Sequence, residues 1–337
     1  MKNTLAFGVI GAGYFGRHYI RLLREMPGAT LRAVADRSGY GAEKNAVVLP
    51  ASVSRLTDAQ DIFSDPQIDC MVIATPASTH ASLAVAALGA GKHVLVEKPM
   101  AMNSEEAGLM RDAAQKSGRT LMVGHQYIYN DAIRHLKKKL DEGLLGNIKY
   151  IFAEHFSFGP IRSDIGCFAE MAVHELSLLD YLFSPGEIRH VAGKSVDFLA
   201  SGREDFASVE IFFASGLTAA IAVSWFAPEK IRRMTIAGDK GMAIFDDRRE
   251  DKLRFFLHPY PVAQPDKDAA SRFMEFAQGE IITSAIDAAE PLRNQLEHFI
   301  ACVRTGAEPV SGIAQGMRVM RMLDRIVEEI RDDGIGR

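Results

Sequence analysis

The stretch VIGAGYFGRHYI, residues 9–20, decides the fold of this chain. Its three glycines, Gly11, Gly13 and Gly16, follow an apolar run typical of a buried strand and open an amphipathic helix pattern. In that context the first glycine permits a tight turn, the second lets the backbone approach a pyrophosphate, and the third allows close helix–strand packing. The amide groups at the helix N-terminus would face the phosphates. The stretch therefore predicts a dinucleotide-binding βαβ unit.

The pattern on either side of the motif predicts two kinds of sheet. Roughly the first 120 residues alternate short apolar runs with helical patterns, which is typical of a parallel sheet covered on both faces. Six strand-like runs follow one another between residues 188 and 258 without helices. Such a succession indicates a mostly antiparallel sheet with one covered face. Two helical patterns close the chain.

We therefore expect an α/β protein of two domains, since 337 residues exceed the usual single-domain size. Residues 1–123 should form a dinucleotide-binding domain with a doubly wound parallel sheet. Residues 124–337 should form an α+β domain for substrate binding and oligomerisation, with closing helices at 291–331 that pack back on the first domain. The polar segment 258–290, rich in proline and alanine, receives no assignment.

Composition excludes several classes of function. The chain has 39 Lys and Arg against 43 Asp and Glu, a net charge of -4, which argues against a general nucleic-acid or anionic-membrane binder, since such a protein needs a basic face. Its apolar runs fall short of the ~20 residues of a membrane-spanning helix. Cys70, Cys167 and Cys302 are far apart and lack the spacing of a metal site. We expect a cytoplasmic protein with no metal and no nucleic-acid or membrane partner.

The second predicted strand ends at Asp36, about 20 residues after Gly16. An acid at this place accepts hydrogen bonds from the adenosine ribose of a dinucleotide. Because a carboxylate disfavours a 2′-phosphate, we expect NAD as the cofactor. Arg37 keeps NADP open, since a guanidinium beside the ribose would tolerate the phosphate. The alternative interpretation of Asp36 is a strand-end residue that only caps a turn.

Three further strand ends carry polar or turn-forming residues: Thr75-Pro76, Glu97-Lys98-Pro99 and Gly124-His125-Gln126. In a doubly wound sheet, ligands bind beyond the carboxyl ends of the strands. Taken alone, Glu97 and Lys98 would most often be a surface ion pair. Their position at the same edge as the other two strand ends favours a functional site. Pro99 is a candidate for a cis peptide bond.

The stretches GAGYFG (11–16), ATP (74–76) and VEKP (96–99) resemble the Gfo/Idh/MocA family of nicotinamide-dependent oxidoreductases. The closing segment EPLRNQLEHFIACVRTG (290–306) resembles that family too, so the resemblance spans essentially the whole chain. It implies a Rossmann domain followed by a domain with an open-faced sheet. It also implies that Lys98 contacts both cofactor and substrate and that Glu97 lies near the nicotinamide ribose. The further candidates for cofactor contacts are Tyr14, Phe15, Thr75, Pro76, His80 and Gln126.

The resemblance further implies an acid and a histidine four residues apart on one helix, and CFAEMAVHELSLLDYLF (167–183) supplies Glu170 and His174. Many relatives have Asp at the first position. A zinc-binding HExxH motif is excluded because Leu178 stands where its second histidine would be. A neutral His174 could take the proton of an alcohol, with Glu170 orienting the ring and Lys98 stabilising the developing negative charge. The reverse division, with Lys98 as proton acceptor and His174 as its helper, stays open.

The stretch GHQYIYND (124–131) stands where many relatives carry an arginine-rich segment, and it resembles the branch that acts on nucleotide sugars. This resemblance implies oxidation of a UDP-N-acetylhexosamine or related uronate at C3. The candidate substrate contacts are Lys98, Tyr127, Asn130, Arg162 and His174. The alternatives are a dehydrogenase of free sugars or inositols, an NAD-dependent relative of glycosidases, and a non-catalytic NAD-binding regulator. The uncovered sheet face predicts a homodimer or homotetramer.

Overall fold

The computed structural model describes residues 4–37, 48–159, 161–162, 164–257, 280–283 and 289–332. They form two compact units, of which the first comprises residues up to Tyr129 together with Ala289–Arg325. The first stretch of this unit runs to Tyr129, whereas the sequence predicted a boundary at residue 123. The reason is that Tyr129 is bound within this unit: its carbonyl oxygen accepts a hydrogen bond from Asn294 at 3.0 Å, and its hydroxyl lies 2.8 Å from that of Ser311.

The first unit contains the predicted parallel sheet, whose strand order is β3-β2-β1-β4-β5-β6. Each neighbouring pair is parallel. The strands are β1 (Leu5–Ile10), β2 (Ala29–Ala35), β3 (Ser54–Leu56), β4 (Cys70–Ile73), β5 (His93–Val96) and β6 (Leu121–Val123). The helices are α1 (Gly16–Glu25), α2 (Ala59–Phe63), α3 (His80–Gly89) and α4 (Ser104–Ser117). The strand order reverses between β1 and β4, which is where a doubly wound sheet binds its ligand.

Both faces of this sheet are covered, so its central strands are apolar throughout. Phe7, Val9, Val72 and Leu95 are all completely buried. The sequence did not predict β3 or α2, because three and five residues are too few to show a periodic pattern. A local sign of α2 is its N-cap, where the side chain of Asp58 accepts a hydrogen bond from the Gln60 amide at 2.9 Å.

The second unit has the expected large sheet, in the order β14-β13-β12-β11-β7-β10-β9-β8. Strands β7 and β10 pair in parallel and the other neighbouring pairs of described strands are antiparallel. The strands are β7 (Ile148–Phe158), β8 (Ile188–Val196), β9 (Phe206–Phe213), β10 (Thr218–Ser224), β11 (Phe226–Gly238), β12 (Gly241–Asp246), β13 (Leu253–Leu257) and β14 (Glu280–Thr283). Helix α5 is Asp131–Asp141, and a π-helical turn, Phe168–Ala172, leads into α6, Val173–Phe183.

Alternation along β7 shows that one face of this sheet is covered. Ile151 and Ala153 are buried, whereas Tyr150, Phe152 and Phe158 are exposed. The six predicted strands between residues 188 and 258 are confirmed as β8 to β13. Strand β14 lies inside the unassigned segment 258–290, whose residues 258–279 and 284–288 are outside the described part.

Two helices close the chain, α7 (Pro291–Thr305) and α8 (Ile313–Asp332). The segment between them is bound to β6 within the first unit: Val123 donates to the Ser311 carbonyl at 2.8 Å, and the Ser311 hydroxyl donates to the Val123 carbonyl at 2.7 Å. A Cβ at Gly316 would lie 2.8 Å from the Met100 sulfur, so glycine allows α8 to approach closely here. None of the described helices has the length and apolar composition needed to cross a membrane.

Candidate active site

The three glycines after β1 have different structural roles. Gly11 has φ of +92°, and a Cβ there would lie 2.5 Å from the carbonyl oxygen of Ala74. A Cβ at Gly16 would overlap the carbonyl oxygen of Gly11. At Gly13, by contrast, an added Cβ would meet no described atom within 4 Å. The first and third glycines therefore serve the fold, whereas the second leaves open space beside the loop.

A cavity of about 730 Å³ opens next to this loop, at the carboxyl ends of β1, β2 and β4. Its lining includes the predicted cofactor residues Gly11, Gly13, Asp36, Arg37, Thr75 and Pro76. The Asp36 carboxylate accepts a hydrogen bond from the Ala12 amide at 2.6 Å, which fixes it to the cavity wall. Helix α1 starts with no acidic residue in its first turn and no side-chain cap, so its positive end suits a diphosphate. These residues fit an NAD molecule.

Two other predicted cofactor residues, Tyr14 and Phe15, lie at the start of α1. Tyr14 is 70% exposed, and its ring centroid is 5.7 Å from that of Phe15. The Arg17 guanidinium lies over the Tyr14 ring, 4.6 Å from the centroid. Tyr14 is thus held at the start of α1 by an edge-on aromatic contact and a cation–π contact, and not by burial.

His80 joins two of the predicted strand ends. Its Nδ1 lies 2.8 Å from the carbonyl oxygen of Pro99 and its Nε2 lies 2.9 Å from that of Thr75. Because a carbonyl can only accept, the ring is the donor in each of these contacts. His80 is 1% exposed, so its side chain holds the main chain of the two loops. The peptide bond between Lys98 and Pro99 is cis.

Glu97 is buried and fully engaged by protein groups. Its Oε1 accepts a hydrogen bond from the Tyr19 hydroxyl at 2.6 Å, and its Oε2 accepts one from the Lys98 amide at 3.1 Å. Gln295 of α7 donates in turn to the Tyr19 oxygen at 2.9 Å. Burial raises the pKa of Glu97, and the Tyr19 hydrogen bond and the Lys98 charge oppose that rise. Glu97 thus anchors the main chain at Lys98, while its expected contact with the nicotinamide ribose stays a prediction.

We expect Tyr19→Phe to lower the free energy of unfolding by about 2 kcal/mol, since it leaves Oε1 of the buried Glu97 carboxylate without its donor. The Tyr19 hydrogen bond lowers the pKa of Glu97, so its loss raises that pKa further. The folded protein then becomes less stable when Glu97 is ionised than when it is protonated. The loss of stability should therefore be larger at pH 8 than near pH 4.5, as urea denaturation can measure. Tyr14→Phe, at an exposed tyrosine, is the control. An equal loss at both pH values would contradict this account.

Gln126, Tyr127 and Asn130 follow β6. Gln126 begins a short 3₁₀ helix, Gln126–Tyr129, in which Tyr127 is buried. Asn130 is 5% exposed, and its side-chain oxygen caps α5 by accepting from the Ala132 amide at 2.9 Å. The amide oxygen of Asn130 is therefore used by the fold. The predicted substrate contacts of Tyr127 and Asn130 stay predictions.

In the second unit, Glu170 and His174 lie on a helix that changes type between them. Glu170 is in the π-helical turn and His174 in the first turn of α6, so the helix expected from the sequence is π-helical at Glu170. The Glu204 carboxylate lies at the start of the π-helical turn. It accepts from the Phe168 amide at 3.1 Å and occupies the space that a Cβ at Gly166 would need. A π turn inside a helix is frequent at functional sites.

Two groups surround the Glu170 carboxylate. The Trp225 indole donates to Oε2 at 3.3 Å. Arg162 forms two hydrogen bonds with Asp164, at 2.8 and 2.6 Å, and this pair, together with the Glu170 charge, raises the pKa of Arg162. A carboxylate with an N–H donor and a nearby cation is stabilised in its ionised form. Glu170 is therefore suited to orient a histidine that becomes protonated.

A buried polar chain lies beside His174. The His155 ring centroid is 5.8 Å from that of His174. His155 Nε2 lies 2.6 Å from the Arg232 guanidinium, and its Nδ1 lies 3.1 Å from the Glu175 carboxylate. Because a guanidinium only donates, Nε2 accepts and the proton sits on Nδ1. Burial lowers the pKa of Arg232 to about 10.

The residues that hold the candidates in place carry little signal in the sequence. In the first unit these are Tyr19 and Gln295; in the second they are His155, Glu175, Trp225, Arg232 and Glu204. Tyr19 fits the apolar stripe of α1 and gave no polar signal. His155 carries a weak signal, since it is a polar residue at a buried position of an alternating strand. The partners of these residues are distant in the chain.

Comparison with known proteins agrees with this architecture. A family model described as oxidoreductase family, NAD-binding Rossmann fold, matches residues 5–125, and the GFO/IDH/MocA C-terminal domain model matches residues 133–244. Inositol 2-dehydrogenase of Rhizobium meliloti (strain 1021) is 26% identical over 339 residues, covering 98% of each chain. An oxidoreductase from Magnetospirillum magnetotacticum MS-1 has a TM-score of 0.78 at 28% identity, covering 95% of this chain and 99% of that one. UDP-N-acetylglucosamine 3-dehydrogenase from Acidithiobacillus ferrooxidans shares the fold, with a TM-score of 0.79, 23% identity and 98% coverage of each.

Proposed function

Since the chain belongs to the Gfo/Idh/MocA family and is an NAD-binding oxidoreductase, we propose that it oxidises a secondary alcohol of a sugar with NAD. The observation that carries the proposal is the fixed main chain at Lys98. Glu97 binds the Lys98 amide, and His80 binds the carbonyl of the following proline. The same His80 ring binds the carbonyl of Thr75, a residue of the cavity wall. A lysine held in this way beside a dinucleotide cavity is suited to catalysis.

The proposed reaction removes a proton from the hydroxyl group and a hydride from its carbon. Bound NAD would supply the hydride acceptor. The Lys98 ammonium would hold the alcohol oxygen and stabilise the negative charge that develops on it. His174 would take the proton, and Glu170 would orient the imidazole and stabilise its charged form. The reverse assignment, with Lys98 as proton acceptor, is the alternative.

Two substrate classes compete. The stretch at residues 124–131 favours a nucleotide sugar such as a UDP-N-acetylhexosamine, oxidised at C3. The two-bond ion pair of Arg162 with Asp164 favours a neutral cyclic polyol instead, because a diphosphate at Arg162 would compete with that carboxylate. The relative aligned over both whole chains is named an inositol 2-dehydrogenase. We retain the nucleotide sugar as the first candidate and inositol as the second.

A panel of ligands tests the function. Thermal unfolding is followed with NAD or NADP, alone and with UDP-N-acetylglucosamine, its uronate, myo-inositol or glucose, and NADH formation is measured for each pair. Asp36 predicts a larger stabilisation by NAD than by NADP. One substrate class should stabilise the protein further and yield NADH. Stabilisation by NAD with no turnover of any class would contradict the proposed dehydrogenase and support a regulator.

We also propose that a second copy of the chain covers the open face of the large sheet. Tyr150, Phe152 and Phe158 are 46%, 40% and 75% exposed on this face, which is unusual for large apolar side chains of a monomer. The Phe158 and Phe226 rings lie 5.7 Å apart and extend the apolar surface. Light scattering after gel filtration would identify the dimer or tetramer.

A further inference from the structure

His125 lies beside Lys98 on the neighbouring strand of the first unit. Strands β5 and β6 are parallel with Val96 opposite Val123. Gly124 donates to the Val96 carbonyl at 2.7 Å, so the hydrogen bonding between the two chains extends one residue beyond β6. A Cβ at Gly124 would lie 3.2 Å from the Glu97 Cα. The main chains that carry Lys98 and His125 are therefore adjacent and fixed.

The imidazole of His125 is oriented by helix α8. The ring is 1% exposed, and its Nδ1 lies 2.7 Å from the side-chain oxygen of Gln315. That oxygen only accepts, so the proton of the neutral ring sits on Nδ1. Gln315 is itself held close, because the segment before α8 pairs with Val123 through Ser311. The ring cannot turn without breaking these contacts.

The other nitrogen of this ring is then a bare acceptor. Nε2 of His125 is buried and has no hydrogen-bond partner among the described residues. Such an atom is costly unless it finds a donor. Burial, with a contribution from the Lys98 charge, lowers the pKa of His125 to about 4, so the ring is neutral at physiological pH. The charged side chain that acts on the ring is Lys98, from the end of β5.

We propose that Nε2 of His125 accepts a hydrogen bond from the Lys98 ammonium and thereby aims that ammonium at the alcohol oxygen. The Lys98 charge already acts on the ring, and the main chains that carry the two side chains are adjacent. Because Nε2 is buried, a protein group is better placed than bulk water to supply its donor. An ammonium has three N–H groups, so a bond to His125 does not use all of them. His125 is thus a positioning residue, and its role rests on the proposed function of Lys98.

Imidazole NMR tests this inference without a substrate. In protein labelled with ¹⁵N-histidine, the His125 signal is identified as the one that His125→Gln removes. It should show the Nδ1–H tautomer, and the ring should stay neutral as the pH is lowered to about 5. Lys98→Met should shift the Nε2 resonance of His125 and move the titration of the His125 ring to higher pH. The matched control is His93 at the other end of β5, whose pKa burial also lowers to about 4; Lys98→Met should leave its signal unchanged. A proton on Nε2, or a His125 signal unaffected by Lys98→Met, would overturn the inference.

Kinetics supply an independent test. His125→Leu should lower kcat by about tenfold or more and move the alkaline limb of the pH profile to lower pH, because the ammonium loses its acceptor. His125→Gln, which offers an amide oxygen, should restore most of the rate. If Lys98→Met is inactive while His125→Leu keeps the full rate and profile, the inference fails and the proposed function stands. If Lys98→Met itself turns over normally, the proposed function fails.

Discussion

Lys98→Met should lower kcat by about 10³-fold, because it removes the cation that stabilises charge on the alcohol oxygen. Methionine keeps the apolar stem of a side chain that is 7% exposed, so the fold should survive. NAD should still stabilise the protein against heat, since the cavity is lined by Gly13, Asp36 and other residues that the change leaves intact. NADH formation and thermal unfolding are the two measurements.

The matched control for this variant is Lys92→Met. Lys92 precedes the same strand, β5, and is buried to a similar extent. Its ammonium donates to the carbonyl oxygens of Asp65 and Ile68, at 2.5 and 2.9 Å. We expect its loss to lower stability and to leave kcat unchanged. Normal turnover by Lys98→Met, or an equal loss in both variants, would contradict the assignment of Lys98.

The second prediction separates two glycines of one motif. Gly13→Ala should leave thermal stability unchanged without NAD, because an added Cβ meets no described atom. It should abolish most of the stabilisation by NAD, since the methyl group occupies the space for the pyrophosphate. Gly16→Ala should instead lower the free energy of unfolding by about 2 kcal/mol even without NAD, because its Cβ overlaps the Gly11 carbonyl.

The measurement for both glycine variants is thermal unfolding with increasing NAD. The stabilisation at a given NAD concentration reports the dissociation constant directly. A Gly13→Ala protein that NAD still stabilises fully would show that the diphosphate does not pass over this glycine. A Gly16→Ala protein as stable as the parent would show that the loop relaxes without cost.

The parts of the site that the sequence could predict are those with local patterns. Gly11, Gly13 and Gly16 lie within one turn, and the polar strand ends each follow an apolar run. Both signals depend on neighbours in the chain. The glycine loop and the cavity residues Asp36, Thr75 and Pro76 were therefore found from the sequence and lie together in the structure.

The remainder depends on contacts between distant residues. Tyr19 and Gln295 are 276 positions apart, and His125 and Gln315 are 190 apart. No periodicity connects such pairs, and each side chain taken alone looks like a core or surface residue. The π turn at Glu170 was also hidden, because its residues fit a helical pattern and Glu204, which accepts from the Phe168 amide at its start, lies in a later loop.

The pairing of Tyr19 and His125 with Gln295 and Gln315 has a consequence for how the protein is made. The first unit needs residues Ala289–Arg325, which the ribosome adds after the entire second sheet. A nascent chain that has reached only Tyr129 lacks the Gln295 side chain that binds Tyr19 and the Gln315 side chain that binds His125. The dinucleotide-binding unit can therefore be completed only late in synthesis, and a gene fragment that stops at Tyr129 would encode an unfinished domain.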